Sequence, residues 1–301
     1  MTGLRSLLLG SLAALFFSAA QAAVLVRVTP VPGSTATTVF GINDDNVLAG
    51  SFIGADGIEH GFFGTNGSYT TFDAGTGGTQ ARGISDNGVI TGLSNSQSGD
   101  AGAEPIFERL ANGTITGVTR TGQTLTGFAQ GLSNSDDTFA GAYWNSQLLH
   151  IVAFIGQSGK WHSDVIISEV HQASTARGIN SAGVIVGSYF RPPQHGFILS
   201  NKTLTTVDYP ADRATATELE GINDSGVAVG QWIDKRGRTH SFVLDVATNT
   251  FTDIKIRGAS NVWAWGINSA GAVAVNTDAG AFIWCAEKSA CPKRGAVFAG
   301  R

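Results

Sequence analysis

The chain has 301 residues, 40 of them glycine, with 42% hydrophobic and 14% charged residues and a formal charge of −4. Charged residues usually make up about 25% of a chain and glycine about 7%. The balance excludes a highly charged disordered chain and a basic nucleic-acid footprint. Glycine at this density also interrupts helices, so the expected class is all-β, built from many short strands and glycine turns.

Residues 1–22 read as a secretory signal peptide. Arg5 is the positive n-region, residues 7–17 are the apolar h-region, and Ala20-Gln21-Ala22 is an A-x-A cleavage box. The apolar run is shorter than the roughly 20 residues that span a bilayer, and no cysteine follows the box to carry a lipid. The expectation is an exported mature chain, 23–301, secreted, extracellular or periplasmic, with no membrane insertion after cleavage.

The mature chain is organised by a repeat. Gly41-Ile42-Asn43, Gly83-Ile84-Ser85, Gly131-Leu132-Ser133, Gly178-Ile179-Asn180, Gly221-Ile222-Asn223 and Gly266-Ile267-Asn268 are spaced by 42, 48, 47, 43 and 45 residues. Repeats therefore begin near 37, 79, 127, 174, 217 and 262. In each, an apolar segment ends in the GIN-type triplet, and an Asn/Asp/Ser/Gly turn follows, suited to a tight hairpin. A second strand comes next, for example VLAGSF (47–52) or VIVGSY (184–189). A third carries Phe62, Phe107, Phe154, Phe197, Phe242 or Phe282, and a fourth is clearest at 69–73, 204–208 and 251–255.

Four strands per repeat of about 45 residues predict propeller blades, hence a single six-bladed β-propeller domain over 23–301. Gly50, Gly141, Gly187 and Gly230 in the second strands are expected to allow close approach between blades. The segment before the first triplet aligns with the segment before the fifth. Residues 24–30 are therefore expected to be the outer strand that closes the last blade, in competition with 295–300. Cys285 and Cys291, the only cysteines, are expected to form a local disulfide in an oxidising compartment.

The segments GINDDNVLAGSF…HGFF, GINSAGVIVGSYF…HGFIL and GINDSGVAVGQWID…HSFVL resemble the HAF repeat of secreted bacterial β-propeller-like proteins. The resemblance covers all six copies. Copies two, three and six depart from it, with PIF, VAF and GAF in place of HGF or HAF. It implies an exported bacterial propeller and transfers no catalytic residue.

Several chemistries are unsupported. His60, His195 and His240 hold one equivalent position in three blades, so a ring keeps them apart, whereas ligands of one metal all lie about 2 Å from it. They are read as histidines hydrogen-bonded to a neighbouring loop. Asp44, Asp86 and Asp224 are read as turn caps; no metal and no cofactor is expected. The chain has no G-x-S-x-G elbow and no phosphate-cradling glycine loop.

The most informative positions precede each GI or GL: Phe40, Arg82, Gln130, Arg177, Glu220 and Trp265. If these strands are innermost, the side chains point to the axis, and Arg82, Gln130, Arg177, Glu220 and Trp265 line a channel mouth. That set suits an anionic or hydroxylated ligand; the competing reading is ion pairing between blades. The functional expectation is a monomeric binding module for a glycan, peptide or envelope protein. The alternative is a secreted polysaccharide hydrolase or lyase acting at the channel mouth, which needs at least two carboxylates or a Tyr/His/Arg set there.

Overall fold

The computed structural model describes residues 23–94, 104–165 and 173–292. The leader, the segment 295–300, His171 and most of the polar loop 94–104 lie outside the described residues. Among the described residues the architecture is all-β, with one short 3-10 turn at Lys288–Ala290.

Each repeat begins with a hairpin whose turn explains the triplet. Asn223 Oδ1 accepts from the N–H groups of Ser225 and Val227, at 3.1 and 2.9 Å. The last turn residue sits in the left-handed region, which glycine enters freely. It is Gly88, Gly183, Gly226 or Gly271 in four copies, Asn46 in the first and Asp137 in the third.

The strands pair antiparallel in chain order. The first sheet runs Ala36–Ile42, Leu48–Ile53, Glu59–Thr65, Ser68–Phe72, and the second Thr79–Ile84, Ile90–Ser94, Ile106–Arg109, Ile115–Gly117. The third, Gly127–Leu132 to Lys160–Asp164, carries an added hairpin, Thr119–Arg120 with Gln123–Thr124, paired in parallel on its outer strand. The sheets starting at Ser174–Ile179 and Ala214–Ile222 are joined by one parallel bridge, Gln194 to Ala216. The last sheet consists of Val262–Ile267, Ala272–Thr277 and Gly280–Cys285, with Val24–Arg27 paired on its outside. Cys285 and Cys291 form the expected disulfide, with Cα atoms 5.6 Å apart.

The core lies between sheets. Ala49 and Phe63 of the first pack on Ala81, Ile84 and Phe107 of the second. Val186 and Ile198 of the fourth pack on Leu219, Ile222, Trp232 and Phe242 of the fifth. All six third-strand phenylalanines are buried. The first strands contact one another in cyclic order, and Val262–Ile267 returns to Ala36–Ile42.

Two local details correct the sequence reading. Gly50, Gly141, Gly187 and Gly230 do make close approaches, but within their own sheets. A Cβ on Gly50 would meet the Thr38 carbonyl and the Phe62 ring, and one on Gly230 the Glu218 carbonyl and the Phe242 ring. Contact between sheets falls on the triplet glycines instead. A Cβ on Gly131 would lie 2.6 Å from Gly178 Cα, and one on Gly178 2.9 Å from Gly221 Cα. The turn aspartates cap the neighbouring turn rather than their own. Asp86 accepts from the Asp44 N–H, Asp224 from Ser181 and Asp44 from Ser269.

The triplet asparagines add a second lock. Asn43, Asn180, Asn223 and Asn268 each donate Nδ2–H to the triplet-end carbonyl of the next sheet, at 2.9–3.1 Å, and Asn268 returns to Asn43. Ser85 and Ser133 lack this donor. Asn223→Ala removes two turn hydrogen bonds and one inter-sheet bond, and is expected to cost about 2–3 kcal/mol. Ser85→Ala, which removes one 3.3 Å bond from the Val89 N–H, is expected to cost about 1 kcal/mol or less. Urea unfolding of the two variants measures the difference.

Candidate functional site

The side chains before each triplet reach the axis through a β-bulge. In four copies the ladder skips Phe40, Arg82, Arg177 or Glu220; in the third and sixth it skips Gln130 or Trp265 with the following glycine. A bulged residue has no ladder partner, and its side chain is re-aimed. Together with the triplet glycines and Ile42, Ile84, Leu132, Ile179, Ile222 and Ile267, these six residues line one axial cavity of about 50 Å³.

The structure brings Arg82, Gln130, Arg177, Glu220 and Trp265 together around this cavity, and Gln130, Arg177 and Glu220 are bonded to one another. Glu220 and Gln130 are 2% and 3% exposed. Gln130 Nε2 donates to Glu220 Oε2 at 3.1 Å and to its carbonyl at 2.9 Å. The Arg177 guanidinium lies 3.4 Å from Glu220 Oε2 and 3.6 Å from Glu218 Oε2, and also reaches Gln130 Oε1 at 3.4 Å. Arg82 donates twice to Gln80 Oε1, at 3.0 and 2.9 Å, and its guanidinium faces Phe40, Phe128 and Trp265 at 5.2–5.7 Å. Phe40 and Trp265 meet edge to face at 5.2 Å.

The sequence reading missed the tier above these residues. Gln80, Phe128 and Glu218 lie two positions earlier on the same strands. Strand periodicity puts them on the same side as the axial set, which is the signal that identifies them. Gln80 holds Arg82, Glu218 holds Arg177, and the Phe128 ring faces both arginines, 5.4 and 4.8 Å from their guanidinium carbons.

Burial pushes the Glu220 carboxyl up to about 7, with Arg177 opposing. Burial, aided by the Arg177 charge, brings Arg82 down to about 10. Because native Glu220 holds its proton more tightly than the unfolded side chain, the native state binds more protons between about pH 4.5 and 7. Its contribution to stability therefore falls as pH rises through that window. Glu220→Gln is expected to flatten this part of the stability–pH curve by roughly 2 kcal/mol, read from urea midpoints at pH 5 and pH 8.

Phe128 also forms the wall of a hollow of about 460 Å³, with Glu104, Thr126, Gly127, Ala142, Tyr143, Trp144 and Ile151. Trp144 and Ile151 are cross-strand partners, 50% and 39% exposed, and the adjoining turn presents Leu148 and Leu149 at 56% and 74%. A second hollow, about 550 Å³, surrounds His60, Phe52, Asp56 and Asp73.

The three equivalent histidines are held as the repeat reading expects. His60 Nδ1 is 2.8 Å from Asp73 and His195 Nδ1 2.7 Å from Asp208, while His240 Nε2 is 3.1 Å from Asp234. Each ring stacks on the aromatic of its second strand: Phe52, Tyr189 or Trp232. The hydrogen bond to Asp73 raises the His60 pKa, against desolvation.

Neither a family model nor a curated protein sequence matches the chain. Among solved structures, a prolyl endopeptidase superposes with a TM-score of 0.49 at 12% identity over 82% of this chain, which spans 40% of that protein's length. The β-propeller domain of the Trilobed protease from Pyrococcus furiosus superposes with a TM-score of 0.44 at 10% identity, covering 83% of this chain and 95% of that one. The Aleuria aurantia lectin, in complex with Fucα1-6GlcNAc, superposes with a TM-score of 0.49 at 12% identity, covering 85% of this chain and 93% of that one.

Proposed function

We propose that the chain is an exported, monomeric, six-bladed β-propeller of the HAF-repeat type, closed by its N-terminal strand, and that it works as a binding module for a glycan, peptide or envelope protein. The reading places it outside the cell or in the periplasm. No helix among the described residues is long and apolar enough to cross a membrane.

The observation that carries the binding reading is the contrast between the axis and the hollow beside it. Gln130, Arg177 and Glu220 bond to one another, and Arg82 to Gln80, around about 50 Å³, too little for a sugar ring or a peptide residue. The hollow at Phe128, Tyr143 and Trp144 is about ninefold larger and mostly apolar, and a half-exposed indole stands at its side. Indole and phenol rings with one wet edge are the common anchors of binding surfaces. The hydrolase or lyase alternative rests on Glu218 and Glu220, a close carboxylate pair with Glu220 holding a proton near neutral pH. Both are engaged by Arg177 in a space that excludes a polysaccharide.

The test is to probe oligosaccharide and peptide arrays with the mature protein and to analyse each retained ligand by mass spectrometry. The binding reading expects retention of one ligand class, recovered intact. Cleaved or unsaturated products transfer the assignment to the enzyme reading.

A further inference from the structure

The axial cavity is polar on one side and lined by donors whose bonds are incomplete. Trp265 Nε1 and Arg177 Nε are both buried, and among the described residues neither has a hydrogen-bond partner. Both residues line the same cavity, as does Arg82. Buried donors left unpaired are rare in folded proteins, because water is lost and nothing replaces it. Two of them on one cavity call for an acceptor inside it.

The acceptor side of the cavity is already committed. Glu220 Oε2 takes Gln130 Nε2 and Arg177 Nη1, and Gln130 Oε1 takes both arginines, at 3.5 Å from Arg82 and 3.4 Å from Arg177. At the other end the triplet isoleucines and Leu132 form an apolar collar shared with a second hollow of about 40 Å³ that carries Asp44 and Asp224; these carboxylates repel an anion, so the face that carries Arg82 and Phe128 is the favourable entry. A water needs about 10–15 Å³ of such space. A cavity of about 50 Å³ therefore takes a few waters or one small anion, and excludes anything with a ring.

We propose that the axial cavity is a seat for a single small anionic group, of halide or carboxylate size, held by Trp265 Nε1–H, Arg177 Nε–H and the Arg82 guanidinium. This deepens the reading of the same face as ligand-binding. The anionic group is either a free ion or the acid group of a larger ligand whose body rests in the hollow beyond Phe128. Guanidinium and indole N–H groups suit this role, since hydrogen bonds to an ionised acceptor are the strong ones.

The experiment titrates the full mature chain with sodium chloride, sodium acetate and sodium galacturonate, following tryptophan fluorescence and the thermal midpoint. Wild type and variants are compared at equal ionic strength, so that general salt effects are common to both. The proposal expects a saturable response to chloride or acetate in the wild type. Trp265→Phe keeps the ring beside Phe40 and Arg82 but deletes the N–H, and should weaken the apparent affinity at least tenfold. Arg82→Gln should weaken it further, and Trp265→Phe alone decides the matter if that variant does not fold.

Galacturonate binding at least tenfold tighter than acetate identifies the occupant as a ligand's acid group; equal or weaker binding identifies a free ion. The absence of a saturable response, or an identical response in Trp265→Phe, shows that the cavity holds water only and overturns the proposal. Because chloride and acetate report on the axial cavity by themselves, their outcome is separable from whatever the array experiment finds in the hollow.

Discussion

Gly83→Ala is expected to destabilise the protein by about 3 kcal/mol or more, at the upper end of overpacking effects. A Cβ at Gly83 would collide with the carbonyl oxygen of Gln130 on the next inner strand, and would lie 2.7 Å from Leu132 Cδ1. That carbonyl belongs to a bulged residue whose side chain is tied to Glu220 across the axis. It can retreat only if the neighbouring sheets move apart, and the cyclic contacts of the first strands oppose such a shift. Gly75→Ala is the control. There the new methyl would meet only Ser94, at 3.7 Å, an ordinary van der Waals contact, so a change within about 0.5 kcal/mol is expected. Urea unfolding of both variants checks the pair, and equal midpoints would show that the inner strands are not tightly closed.

Removing residues 24–31 is expected to cost about 5 kcal/mol. Val24–Arg27 pairs with Phe282–Cys285 in register, and the Val28 N–H continues the ladder to the Ala281 carbonyl at 3.0 Å. Val28 and Val31 are each 3% exposed. With Val26 they pack on Val39, Leu48 and Phe62 of the first sheet and Ala274 and Ile283 of the last. Each buried valine is worth about 1.5–3 kcal/mol, and domains of this kind are typically stable by only about 5–15 kcal/mol. The shortened chain should therefore lose most of its cooperativity, seen as a shallow urea transition and rapid proteolysis near Phe282. A sharp transition at the wild-type midpoint would show that the N-terminal strand is dispensable for closure.

The strands and their order were legible because one grammar recurs at each of the six GIN-type triplets, and repetition exposes which positions the backbone demands. The pairing of Val24–Arg27 with the last sheet was legible for the same reason, through its alignment with the segment before the fifth triplet. The partners of individual polar groups were not. A sequence says that Asp86 sits in a turn, but whether its carboxylate caps its own hairpin or Asp44 in the next depends on the distance between sheets. Likewise it shows glycines at both 50 and 83, and only packing reveals that the second, not the first, touches a neighbouring sheet.

The axial residues were found from their common place before each triplet, although the bulge that aims them is visible only in the ladder. Phe128 and Ile151 escaped because they break the repeat rather than follow it, and Trp144 because it follows it, at the position of Ile53, Phe190 and Ile233. At the position of Phe128 the sister copies carry Thr38, Gln80, Thr175, Glu218 and Trp263. The apolar tip at Leu148 and Leu149 falls in a loop whose neighbours in space cannot be read from its own residues.

The most direct test of the account is the affinity of the array-selected ligand for the wild type and for Trp144→Ala, measured by calorimetry. An indole that anchors a ligand in a binding hollow is worth about 2 kcal/mol or more on truncation. Trp144→Ala is expected to lose at least about tenfold in affinity, with unfolding midpoints unchanged and the ligand recovered intact from both proteins. Unchanged affinity in the variant, or conversion of the ligand by the wild type, would contradict it.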